Sequence, residues 1–146
     1  MYRRAHGAIA LLLAHPGGPY WVRKDAGAWS IPKGEYEPDE DALAAAKREF
    51  AEELGIVPQG ECHPLGEVRQ KSGKIVTAFA LAGDLDVDAI TPGMFEMEWP
   101  PHSGRMQSFP EVDRVQWFAV DAARIKIVPA QAVFIDRLLA LISARS

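Results

Sequence analysis

The chain has 146 residues, 48% hydrophobic and 25% charged, with a formal net charge of −4 at pH 7. That length carries one domain with a real core, so a single domain over residues 1–146 of ordinary globular composition is expected. The acidic balance argues against a nucleic-acid polymer as partner, because such binding needs a basic face; a metal and a few local cations still suffice to draw a small anion into a pocket. Cys62 is the only cysteine, which excludes an intramolecular disulfide and predicts an inert small side chain.

In chain order, Gly7–Ala14 is an apolar run fit for a central strand. It follows Arg3 and Arg4 as a signal sequence would, but it is too short to cross a bilayer and leads into His15-Pro16-Gly17-Gly18-Pro19 instead of a small-residue cleavage site. No membrane association and a cytoplasmic location are therefore expected. The Pro-Gly-Gly-Pro turn followed by Tyr20–Lys24 predicts a hairpin with a short second strand. Trp29 to Gly34 is expected to be extended, since a residue before proline avoids the helical region.

The next segment predicts a helix from about Glu40 to Leu54. Asp39 is the expected N-cap, and Gly55 the left-handed residue that ends the helix. Leu43, Ala46, Phe50 and Leu54 make an apolar stripe, while Glu49, Glu52 and Glu53, three and four residues apart, share another face. Carboxylates crowded in this way repel one another unless a cation sits among them. Hard divalent cations such as Mg²⁺ take oxygen ligands of this kind and keep room for water and phosphate.

Beyond the helix, Pro64–Arg69 and Lys74–Ala82 predict two strands around the Lys71-Ser72-Gly73 turn. Phe95–Trp99 predicts another, with Phe95, Met97 and Trp99 alternating against Glu96 and Glu98. Pro100–Asp113 reads as a long loop, a length uncommon outside functional lids and disordered segments. Val115–Val120 predicts a strand and Ala130–Ser143 a closing helix. The whole reads as α+β, a mixed sheet packed between helices.

The segment from Gly34 to Ile56 resembles the Nudix box. Gly34, Glu40, Arg48, Glu49, Phe50, Glu52, Glu53, Gly55 and Ile56 fill every specified position of the family pattern. The resemblance implies an α/β/α sandwich and a Mg²⁺- or Mn²⁺-dependent pyrophosphohydrolase that cuts a nucleoside diphosphate linked to another moiety. It also implies roles. Glu49, Glu52 and Glu53 are metal ligands, Arg48 orients the box carboxylates, Gly34 allows the tight loop, Glu40 is structural, and the Lys33 carbonyl is a further ligand. Glu53 is the first candidate for the base or a bridging ligand. Glu111, six residues before Trp117, resembles the Glu…Trp spacing of diadenosine tetraphosphate hydrolases and is a second candidate for base or ligand.

The Pro32-Lys33-Gly34 run resembles that of diadenosine and diphosphoinositol polyphosphate hydrolases, whereas triphosphate-cleaning members more often carry Pro-Gly-Gly. A lysine at 33 can meet a phosphate chain as a point charge. Lys71 and Arg105 are further phosphate-contact candidates. Trp29, Tyr36, Trp99 and Phe109 are stacking candidates, with a core position favoured for Trp29 and Trp117. Of the four histidines, His102 alone is a candidate for the site. The alternatives to a dinucleoside polyphosphate hydrolase are a nucleoside-triphosphate pyrophosphatase and a Nudix domain that binds nucleotide without turnover. The oligomeric state is left open.

Overall fold

The apolar run at Ala8–Pro16 forms a strand, β2, that is covered on both faces. The computed structural model describes residues 1–32 and 39–145; Lys33, Gly34 and Tyr36 lie outside the described residues. A tight turn at His6 and Gly7, both with positive φ, joins β2 to β1 (Tyr2–Ala5). On its other side β2 pairs with β7 (Val112–Ala119), giving the antiparallel order β1-β2-β7. Two further antiparallel hairpins join β3 (Cys62–Arg69) to β4 (Ile75–Leu81) and β5 (Met94–Glu98) to β6 (Met106–Pro110). Parallel pairing enters at the isolated bridges Tyr2↔Ala82 and Trp29↔Ile127, so the strand arrangement is mixed. The helices are α1 (Ala42–Leu54), α2 (Val120–Lys126) and α3 (Ala132–Ala144). None among the described residues is long and apolar enough to cross a membrane.

Alternation along β2 builds the two cores. Leu12 and Ala14 pack with Val112 and Val115 against Phe50 and Leu54 of α1. Leu11 and Leu13 point the other way, packing with Trp29 and Phe118 against Ile135, Leu138 and Ile142 of α3. The sheet thus lies between α1 and α3, an α+β fold with α/β/α layering. Leu54 has no exposed surface. Leu54→Ala is therefore expected to cost about 3 kcal/mol in urea denaturation, because the transfer term and the cavity term add.

The helix begins later than expected. Asp41, not Asp39, is the N-cap: its side chain accepts from Ala44 N at 3.0 Å, which leaves Glu40 outside the helix. Gly55 ends it in the left-handed region at φ 71°. Tyr20–Lys24 does not form a strand; the stretch turns on itself, with Trp21 N donating to Gly18 O and Lys24 N to Trp21 O. His15, wholly buried, holds that stretch: Nε2 donates to the Lys24 carbonyl at 2.6 Å and Nδ1 lies 2.8 Å from Asp113 Oδ1. The expected long loop at 100–113 is half strand, because Met106–Pro110 folds back on β5 and Val112 already belongs to β7. Val120, expected in a strand, opens α2.

Candidate active site

α1 presents its carboxylates through Arg48. The guanidinium meets Glu40 with two hydrogen bonds of 3.0 Å, Glu49 Oε1 at 2.8 Å, and both Glu52 oxygens at 3.4 Å. Arg48 is pushed above its already high ordinary pKa, first by the Glu40 hydrogen bond and then by the charges of Glu40 and Glu49. Glu40 therefore braces Arg48 from outside the helix, and Arg48 holds Glu49 and Glu52 in place. Glu53 is half-buried on the same helix.

Glu111 reaches this face through backbone contacts. Past the end of α1, Thr91 N donates to Leu54 O at 2.8 Å and Gly93 N to Glu52 O at 3.0 Å. Glu111 N then donates to Gly93 O at 2.8 Å, and Glu111 O accepts from Gly17 N at 3.0 Å. Gly93 is small enough for this crossing: a Cβ there would stand 2.9 Å from Glu52 O and 3.3 Å from Glu111 Oε2. Residue 111 is exposed as a whole, yet its carboxyl lies against Gly93. Its pKa is raised by that partial burial first, and then by the charges of Glu49 and Glu52. Glu111 thus senses the charges of the other two carboxylates.

Gly17 is the tightest point of this assembly. A Cβ there would fall 1.9 Å from Pro110 O. Gly17→Ala is expected to displace Pro110 and Glu111, lowering stability by about 2 kcal/mol in denaturant titration and reducing activity with it.

The donor set suits a hard divalent cation, since Glu49, Glu52 and Glu111 bring carboxylates to this face of α1. Among the described residues no three acidic, histidine or cysteine side chains already enclose an ion position. Arg48 supplies the counter-charge between Glu49 and Glu52 in this arrangement. Lys33 and Gly34 lie outside the described residues.

A cleft of about 800 Å³ opens beside the strand segment at 29–30. Trp21, Ser30, Arg69, Gln70, Lys71 and Pro129 line it. No Asp or Glu does so among the described residues, in a chain whose net charge is −4. The structure separates two of the three predicted phosphate contacts: Lys71 is on this rim, whereas Arg105 sits on the β5–β6 hairpin, its carbonyl accepting from Trp99 N. Trp29 is core, stacked edge-on against His15 and Phe118, and Trp117 is half-buried under Arg3. Trp99 packs edge-on against Tyr20, Phe109 packs against Phe95, and His102 is an exposed turn residue. A smaller cavity of about 100 Å³ beneath α1 is lined almost wholly by apolar groups, among them Phe50, Cys62 and Ala80, and offers few polar groups to orient a nucleotide.

Two features escape sequence reading. Trp21 was expected in a strand, and Gly93 carries no signal beyond a Thr-Pro-Gly turn.

Residues 2–138 match the profile of the NUDIX domain. The chain belongs to the NUDIX domain family. It is accordingly a Nudix hydrolase, acting on phosphoanhydrides. Its fold is shared with C. elegans Ap4A hydrolase, solved as a binary complex, at 21% identity over 98% of this chain and 94% of that one, with a TM-score of 0.65. The NUDIX domain of Shewanella oneidensis NrtR, solved with ADP ribose, is 15% identical over 97% of this chain and 82% of that one, with a TM-score of 0.62. The E. coli ORF135 protein is 27% identical over 99% and 88%, with a TM-score of 0.57. No curated protein sequence matches the chain.

Proposed function

We propose that this Nudix domain is a Mg²⁺- or Mn²⁺-dependent pyrophosphohydrolase that cleaves a phosphoanhydride in a nucleoside diphosphate linked to a second group. The observation that carries this reading is the delivery of Glu111 to the face of α1 that bears Glu49 and Glu52. Glu49, Glu52 and Glu53 would hold the cation, with the Lys33 carbonyl as a further ligand. When bound, the cation neutralises phosphoryl charge and lowers the pKa of a water. Arg48 keeps Glu49 and Glu52 oriented without surrendering its own proton. Glu53 takes the proton of the attacking water, and Glu111, pushed toward the neutral form by partial burial and then by the charges of Glu49 and Glu52, is the second candidate for that role. The cleft receives the nucleotide, with Lys71 on its rim meeting the phosphates as a point charge; Lys33, outside the described residues, is a further candidate for that role.

Ap4A and ADP ribose, named for two fold relatives, are molecules of the proposed class. A panel of dinucleoside polyphosphates, nucleoside triphosphates, ADP-ribose and diphosphoinositol polyphosphates tests the reading by product analysis. Calorimetry run beside it separates catalysis from binding alone. Saturable binding with no product across the panel would make this a nucleotide-binding Nudix domain instead.

A further inference from the structure

Gln131 is fully buried at the end of the connection between α2 and α3, and it makes one hydrogen bond with each half of its amide. Ile31 N donates to Gln131 Oε1 at 3.1 Å. A backbone N–H can only donate, so the orientation of the Gln131 amide is fixed by chemistry. Its nitrogen must then face outward, where Nε2 donates to Gln70 Oε1 at 3.2 Å. That bond fixes Gln70 in turn. The backbone of Gln70 is itself pinned in the β3–β4 turn, its N donating to Lys74 O at 2.8 Å and its O accepting from Gly73 N at 2.9 Å. The two N–H donors of Gln70 Nε2 remain, on a residue that lines the cleft.

The charged side chains of the cleft agree with these donors in sign. Lys71 and Arg69 carry donors only, whereas the Ser30 hydroxyl has already given its one proton to the Ile31 carbonyl. We infer that Gln70 is a specificity-determining residue, oriented by Gln131, that reads an acceptor edge of the nucleobase. The inference rests on the cleft being the nucleotide site of the proposed hydrolase and names the kind of base it takes. A glutamine reads adenine with both halves of its amide, accepting from N6 and donating to N7, but the Gln70 oxygen is engaged by Gln131 and only its donors remain; guanine offers two adjacent acceptors, O6 and N7, to such donors. A donor held there favours guanine nucleotides over adenine nucleotides.

GDP and ADP binding, measured by calorimetry without turnover, tests this directly. The wild-type protein is expected to bind GDP about tenfold more tightly than ADP, the discrimination a well-placed base contact gives. Gln70→Glu replaces donors by acceptors and is expected to shift the ratio toward ADP. Gln131→Met frees the Gln70 amide to turn over, so the ratio should fall toward one while GDP still binds. A merely structural Gln131 would weaken both ligands together and leave the ratio intact. Gln70, on a surface turn, keeps the test open should Gln131→Met fail to fold. Equal or tighter ADP binding by the wild type, no binding of either nucleotide, or a ratio unmoved by Gln70→Glu overturns the inference. Phosphoanhydride turnover without a GDP preference removes the base reading and leaves the hydrolase; a GDP preference without turnover does the reverse.

Discussion

Glu53→Gln is expected to lower kcat by about 10³-fold, within the range for loss of a positioned acid–base group and its charge. Glutamine matches glutamate in size and helix propensity, so the fold should survive. Far-UV circular dichroism and the melting temperature should stay close to wild type while product formation disappears. The arrangement of α1 explains why the loss is specific. Phe50 and Leu54 anchor the helix through its apolar stripe, and Arg48 with Glu40 braces Glu49 and Glu52. Unchanged turnover in a folded Glu53→Gln protein would remove Glu53 from both the proton transfer and the metal shell.

Glu111→Gln is expected to lower kcat by about 10²-fold and, at neutral pH, to stabilise the metal-free protein. The sign of the second effect follows from the raised pKa of Glu111, caused by partial burial and then by Glu49 and Glu52. Between the ordinary carboxylate value and the raised one, the folded state binds more protons than the unfolded state, so stability falls as pH rises. Above that window the penalty for ionising Glu111 is present in full, and the neutral glutamine escapes it. Below the window both side chains are neutral and the difference vanishes. Thermal denaturation of the stripped protein at acid and neutral pH reads this directly. A Glu111→Gln protein less stable than wild type at neutral pH would show that the three carboxylates do not crowd one another.

The helix was legible because its signals are local. The apolar stripe, the three glutamates and the Gly55 stop all lie within a few turns of one another. Its start was misplaced by two residues because Asp39 and Asp41 are both good caps, and only the side chain that reaches a free amide, Asp41, decides between them. Glu111 was legible as a candidate from its spacing to Trp117, but its route to α1 was not. That route runs through backbone hydrogen bonds of Thr91 and Gly93, which no side-chain pattern encodes. Tyr20, Trp21 and Val22 favour a strand after the Pro-Gly-Gly-Pro turn, yet the buried His15 draws the Lys24 carbonyl inward and the stretch turns instead. Local propensity lost there to a tertiary hydrogen bond. The cleft was invisible for the same reason: Trp21, Gln70 and Pro129 come from three distant segments that only the fold assembles.

The most direct test of the account is metal re-addition. Protein stripped with a chelator and assayed on the phosphoanhydride panel should show no turnover. Added Mg²⁺ or Mn²⁺ should restore turnover in the wild type and fail to do so in Glu53→Gln. Hydrolysis that persists in the stripped protein, or that metal restores equally in the variant, would contradict the assignment of the carboxylate face of α1 as the metal-dependent centre.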